Sequence, residues 1–272
     1  MKKYNLICLL LLLAGLAGCE DVIDVKLDEG QTLLAVDGWI SDGPGPYTIR
    51  LTTTAPYFNN ASTPRVQGAV VTVRDNEGNR EVLQETEPGH YQMTMRGKVG
   101  NTYTLDIQAN GGQYTAQTNI NRVPPIDSLG VRFRKESEFT KEGYYVYYYG
   151  PEPTGVGDSY RFKIYKNDTL LNKPENLIFV EDKLVDGNYL NALELNDEPF
   201  RAGDKIRVEV WSITEDAYRF YAELEQAIFS GGLFAAPPTN VRSNVLNKDP
   251  KGKRAVGWFG GAGVSSKEIV IR

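Results

Sequence analysis

Histidine occurs once and cysteine twice in the 272 residues, and beyond the first twenty residues no apolar run approaches the length of a bilayer-crossing helix. A hydrolase of the Ser-His-Asp kind needs an imidazole to relay the proton. The one candidate, His90, stands between Gly89 and Tyr91 where a strand should begin, a position suited to a turn residue or an aromatic filler. Metal sites built on histidine and cysteine fail on the same shortage, so none is expected. Basic residues are also in deficit: 30 Lys and Arg face 35 Asp and Glu, a formal charge of −5. Nucleic acid is excluded as a partner, because affinity for it rests on clustered positive charge. Neither a P-loop nor a dinucleotide glycine pattern occurs, and Gly260, Gly261 and Gly263 after Trp258-Phe259 suggest a hairpin or loop. No cofactor is expected.

Carboxylates are present in number. Glu181, Asp182 and Asp186 precede Gly187, and Glu194, Asp197 and Glu198 follow it. A calcium loop places oxygen ligands at alternate positions with a closing glutamate. This spacing does not, so a solvated acidic loop is expected. Paired acids for glycoside cleavage depend on distances that a sequence does not contain.

The amino terminus carries the clearest signal. Lys2 and Lys3 precede an apolar run from Leu6 to Leu13, then Ala14, Gly15, Leu16, Ala17, Gly18 and Cys19. Basic, apolar and small segments in that order make a secretory signal peptide over 1–18, too short in its apolar part to span a bilayer. Leu16-Ala17-Gly18-Cys19 resembles the lipobox of bacterial lipoproteins. That resemblance implies a diacylglyceryl group on the Cys19 sulfur, cleavage before it, and a further acyl chain on the new amine. Several chains hold a protein at a membrane where a single one holds only marginally. With Cys8 removed and Cys19 acylated, no thiol is left for a disulfide, a zinc site or a nucleophile. Loss of Lys2 and Lys3 would take the charge to about −7.

Residues 19–30 are polar and acidic, as suits an extended tether. From Leu33 to Ile120 apolar and polar residues alternate, the period of a half-buried strand. Tyr47, Ile49 and Leu51; Ala69, Val71 and Val73; Tyr91, Met93 and Met95; and Tyr103, Leu105, Ile107 and Ala109 make the clearest runs. Asp75-Asn76-Glu77-Gly78-Asn79, Pro88-Gly89 and Asn110-Gly111-Gly112 supply the turns between them. About seven such strands over residues 31–122 predict an immunoglobulin-like β-sandwich. The prolines of Val123-Pro124-Pro125-Ile126-Asp127 interrupt the pattern and mark a linker at 123–127.

Residues 128–272 then predict a second β-rich domain carrying one amphipathic helix near 215–230. Val131 and Phe133 alternate with Arg132 and Arg134; Tyr160, Phe162 and Ile164 with Arg161 and Lys163; Ile206, Val208 and Val210 with Arg207 and Glu209. Thr214 caps the helix, and Glu215 and Asp216 suit the positive end of its dipole. Ala217, Phe220, Tyr221, Leu224 and Ile228 form its apolar stripe, and Gly231 and Gly232 stop it. Two strands close the chain, Ala255 to Phe259 and Glu268 to Ile271. The fold class is therefore mainly β.

Tyrosine is concentrated at Tyr144, Tyr145, Tyr147, Tyr148 and Tyr149. On a strand Tyr145, Tyr147 and Tyr149 share one face. With Trp258 they are the candidate binding residues, since tyrosine joins apolar area to a hydroxyl that tolerates water and suits a glycan, a peptide or a protein surface. The alternative is a strand buried under the helix.

Several segments in order resemble a Bacteroidetes family of outer-membrane lipoproteins classed as a domain of unknown function. They are Val36-Asp37-Gly38-Trp39-Ile40-Ser41, Gly68-Ala69-Val70-Val71-Thr72-Val73, Gly100-Asn101-Thr102-Tyr103-Thr104-Leu105 and Pro124-Pro125-Ile126-Asp127-Ser128. Ala236-Pro237-Pro238-Thr239-Asn240-Val241, Ser243-Asn244 and Gly257-Trp258-Phe259 complete the series. The resemblance covers most of the chain. It implies a gene beside a TonB-dependent receptor, hence an accessory or ligand-binding part in nutrient uptake, with no catalytic residue to carry over. Expected partners are the membrane, through the lipid on Cys19, a TonB-dependent receptor, and a peptide or glycan ligand. The expected location is the cell envelope, anchored to the outer membrane on its periplasmic or cell-surface face. The competing reading is a surface adhesin or glycan-binding lipoprotein acting alone.

Overall fold

Residues 31–55, 62–229 and 240–272 are described by a computed structural model. Alternation in the first half produces eight strands, one more than the spacing of turns suggests, because at Leu83 the chain passes from one sheet to the other and divides one short run in two. They are β1 (Leu34–Ser41), β2 (Tyr47–Thr53), β3 (Val70–Asp75), β4 (Arg80–Val82), β5 (Gln84–Glu87), β6 (His90–Met93), β7 (Thr102–Ala109) and β8 (Gly112–Asn119). Strands β1, β2, β6 and β5 are neighbours in one sheet, and β8, β7, β3 and β4 in another. Their inward residues, among them Ile49, Leu51, Val71, Leu105, Ile107 and Tyr91, are almost wholly buried and form one core. Burial of each such side chain contributes about 1.5–3 kcal/mol. Asn121 to Asp127 take no regular structure.

The second half adds β9 (Ser128–Arg134), β10 (Gly143–Pro151), β11 (Ser159–Lys166), β12 (Thr169–Leu170), β13 (Ile178–Glu181), β14 (Tyr189–Glu194) and β15 (Lys205–Ile213). Helix α1 (Glu215–Phe229) follows, then β16 (Leu246–Asn247) and β17 (Ala255–Val270). A three-stranded sheet in the order β14-β10-β9 faces β12, β11, β15 and the end of β17. Val146, Tyr148, Phe162, Ile164, Val208 and Val210 fill the space between. The molecule is thus mainly β, with an immunoglobulin-like sandwich first and a β-rich part carrying one helix second.

The C-terminal strand departs from expectation. In place of two strands separated by a glycine loop, β17 runs for 16 residues through Gly260, Gly261 and Gly263. Its first eight residues pair parallel with β1 and its last eight antiparallel with β15. The glycines serve close approach and not a turn: a Cβ on Gly260 would lie 2.4 Å from the Trp39 ring, one on Gly261 2.5 Å from the Asn119 carbonyl, and one on Gly263 2.4 Å from the Asn121 carbonyl. A division into 31–122 and 128–272 therefore leaves β17 on both sides. Val245, Ala255 and Phe259 lie in the first core, and β16 pairs with β8. Residues Thr32–Arg272 form a single compact unit.

Helix α1 begins where the cap residue predicts, with Thr214 Oγ1 accepting from the Ala217 amide at 3.2 Å. Ala217 and Tyr221 are buried, whereas Ile228, assigned to the same stripe, is 44% exposed in the last turn of the helix. Arg242 returns the chain to the helix, its guanidinium donating to Glu223 at 2.7 and 2.9 Å. Among the described residues no helix is long and apolar enough to cross a membrane.

Candidate functional site

The tyrosine strand lies at the centre of the three-stranded sheet, between β9 and β14. Alternation sends Val146 and Tyr148 into the core, where burial, with Glu152 nearby, pushes the Tyr148 hydroxyl up to about 12. Tyr145, Tyr147 and Tyr149 take the outer face. Their rings are not open to a ligand: Tyr145 and Tyr147 are each 3% exposed, and Tyr149 is partly buried. Two arginines of β9 cover them. The Arg132 guanidinium carbon stands 4.5 Å from the Tyr147 ring centre, and that of Arg134 stands 4.5 Å from Tyr145 and 5.7 Å from Tyr147. Such contacts are worth about 0.5–1 kcal/mol at exposed sites. Arg134 also donates to both Glu194 oxygens and to the Tyr147 hydroxyl. Arg132 donates to the Tyr149 hydroxyl at 3.2 Å. The candidate binding face is thus a ladder of tyrosine rings roofed by guanidinium groups. What it presents outward is the cation Arg132, not aromatic surface. The alternation of Arg132 and Arg134 with Val131 and Phe133 was the signal for this roof, but which strand would lie beside β10 was not readable from it.

Trp258 is likewise interior, at 5% exposure, against expectation. Its ring stacks on Phe220 of α1 at 5.0 Å, because the helix lies across this face of the long sheet. All three tryptophans gather there. Trp39 meets the edge of Trp211 at 5.8 Å and stacks on Tyr221 at 6.1 Å. Two cations of β11 border the cluster: Arg161 sits 4.6 Å over Tyr221, and the Lys163 amine sits 3.1 Å over Trp211. Burial, helped by the neighbouring charge of Arg161, brings the Lys163 amine down to about 7, against the opposing pull of Glu209 and Asp37. Neither cation was a candidate in the sequence, where both occupy the polar positions of an ordinary strand.

The acidic loop is also different from expectation. Asp182 is buried, not solvated, and its carboxylate accepts from the amides of Gly157 at 2.9 and 3.1 Å and of Asp158 at 3.0 Å. Asp186 accepts from the Gly155 amide at 2.7 Å. These acids hold the 181–187 segment against the 153–158 loop, whose Gly155, Gly157 and Asp158 amides satisfy the carboxylate oxygens and make their burial tolerable. Glu152, Asp158 and Asp182 each bring one oxygen within 4.8 Å of the others, a spacing at which a cation could be held. Their oxygens are nevertheless engaged: Glu152 accepts from Tyr160 at 2.8 Å, and Asp158 pairs with Arg122 at 2.9 Å. Burial holds the Glu152 carboxyl above the usual range. His90 begins β6 as expected, 3.7 Å from the Glu87 carboxylate. Leu16, Ala17, Gly18 and Cys19, the tether at 19–30, Gly231, Gly232 and most of the Ala236 to Val241 segment lie outside the described residues.

Residues 20–268 match a family described as "Domain of unknown function (DUF4249)". No curated protein matches the chain. Among solved structures, a two-domain fibronectin type-III segment from chicken tenascin shares 16% identity over 67% of this chain and 91% of that one, with a TM-score of 0.21, at which the likeness supports no inference.

Proposed function

The chain belongs to that family of unknown function, and from this premise we propose that it is a non-catalytic, lipid-anchored lipoprotein of the outer membrane, serving as an accessory, partner-binding component of a TonB-dependent nutrient-uptake system. The observation that carries the reading is Leu16-Ala17-Gly18-Cys19 behind a basic and apolar leader. Acylation of that sulfur converts an exported β protein into a tethered one. The interior supports a binding role over a chemical one: the tyrosines, acids and tryptophans that could have formed a reactive cleft are committed to packing, ring stacking and loop stapling. The covered rings of Tyr145 and Tyr147 remove the main motive for a glycan-binding adhesin. The Bacteroidetes origin and the receptor partnership rest on the family resemblance.

The test has two parts. Labelling cells with an alkyne-bearing fatty acid should mark the chain, and Cys19→Ala should abolish the label and release the protein from the membrane. Affinity isolation of the lipidated protein from outer membranes should recover a TonB-dependent receptor. An unmodified amino terminus, or isolation without a receptor under conditions that preserve known receptor complexes, would sink the proposal.

A further inference from the structure

Strand β9 is unpaired along one side. It lies in register with β10 over seven residue pairs, and among the described residues no strand lies on its other edge. An antiparallel ladder turns only every second residue's N–H and C=O toward its neighbour, so the remainder of β9 points outward. Proteins usually protect such an edge by shortening it, covering it or charging its inner face. β9 carries Arg132 and Arg134 on its outer face, but it is neither short nor charged on its inner face. β9 has seven residues, and those directed at the core side are Leu129, Val131 and Phe133, the last 51% exposed.

The facing wall is the end of β17, whose last eight residues pair with β15 on one edge and, beyond the reach of β1, with no strand on the other among the described residues. Lys267 covers part of that edge by donating to the Ile126 carbonyl at 3.3 Å and to the Asp127 carbonyl. Past it, Val131, Phe133, Tyr144, Ile269, Val270 and Arg272 line an open groove of about 500 Å³. Val270 is 52% exposed. The second core is therefore open at one seam, between two strand edges.

Charge narrows what can fill the seam. On the outer face of β9 stands Arg132, exposed, its guanidinium fixed over Tyr147 and hydrogen-bonded to Tyr149, and no carboxylate pairs with it among the described residues. Arg272, at the groove, also has no ion-pair partner among them. A strand added beside β9 would place alternate side chains against Val131 and Phe133 on one face and beside Arg132 on the other. We propose that β9 receives an extended strand from a protein partner, apolar and acidic in alternation, which extends the three-stranded sheet to four and closes the second core. Backbone hydrogen bonds give such augmentation its affinity and the alternate pockets its selectivity. The proposal rests on the reading of the chain as a partner-binding component, but not on its lipid anchor.

The probe is the seven-residue peptide acetyl-Val-Glu-Val-Glu-Val-Glu-Val-amide, used with the soluble chain from residue 20 at concentrations where the peptide alone is monomeric. Binding should slow amide hydrogen exchange within 128–134. Two versions N-methylated at alternate residues block one peptide edge each, and only one of the two should lose binding. Phe133→Lys, with its melting temperature compared with that of the parent chain to separate folding from binding, should weaken binding at least about tenfold, roughly 1.4 kcal/mol. Equal binding by both methylated peptides, equal binding by a lysine-for-glutamate peptide, or no protection of β9 overturns the proposal. So does a concentration-dependent dimer lost in Phe133→Lys, which would assign the edge to a second copy. A receptor recovered from membranes without peptide binding at β9 would leave the proposed function standing and remove this surface.

Discussion

Lys163 shows how far a residue can depart from its place in a sequence pattern. In the sequence it is one polar position of an alternating strand; in the fold its amine rests on the Trp211 ring with a guanidinium beside it. Unfolded lysine titrates near about 10.4. The folded amine, at about 7, releases its proton earlier. Between those values the unfolded chain binds one more proton, so stability rises with pH across that window, and the penalty for burying the charge is fully present below about pH 7. Replacing it by methionine keeps the contact and removes the charge. Lys163→Met should raise the melting temperature at pH 6 by about 2–4 °C, the shift that ~1 kcal/mol gives in a chain of this size, with solvent screening at this partly buried site keeping the gain small. The gain should shrink as the pH approaches 10, read by thermal scans at several pH values. A constant difference would show that packing, not charge, sets it.

Among the elements, β17 was the least legible and is the most informative. Three glycines in four positions resemble a loop in sequence because glycine usually marks a turn. Here Gly260 leaves room for the Trp39 ring, and Gly261 and Gly263 let the strand pass the backbone at Asn119 and Asn121. Gly260→Ala should destabilise the protein by about 1–3 kcal/mol, the usual cost of overpacking, measured by urea unfolding. Trp39→Phe should offset part of that loss in the double variant, since the two changes share one contact. By contrast, α1 was legible almost to its ends. Its cap, its acidic first turn and its buried Ala217 and Tyr221 are local properties, and only Ile228, exposed in the last turn, departs from the stripe.

At the scale of the whole molecule, two cores share one strand. β17 pairs with β1 of the first sandwich and with β15 of the second part, and Phe259 lies in the first core while Ile269 packs against the second. Local unfolding of either part would strip a neighbour from this strand. Calorimetry should therefore show a single transition whose van 't Hoff and calorimetric enthalpies agree, seen alike by tryptophan fluorescence and by amide exchange in the first core. Two separated transitions would show that the linker at 123–127 insulates the halves.

The sequence by itself determined the mainly β class, most strands of the first sandwich, the helix with its cap, and the scarcity of histidine and thiol chemistry. These follow from periodicities of two and 3.6 and from composition, which act between near neighbours along the chain. Only the tertiary structure decided that Tyr145 and Tyr147 lie under Arg132 and Arg134, that Trp258 is covered by α1, that Asp182 is buried, and that β9 has no strand on its outer edge among the described residues. Each of these depends on which segment lies beside which across tens to hundreds of residues. An alternating pattern tells a strand which face is apolar but not which strand, helix or solvent it will meet.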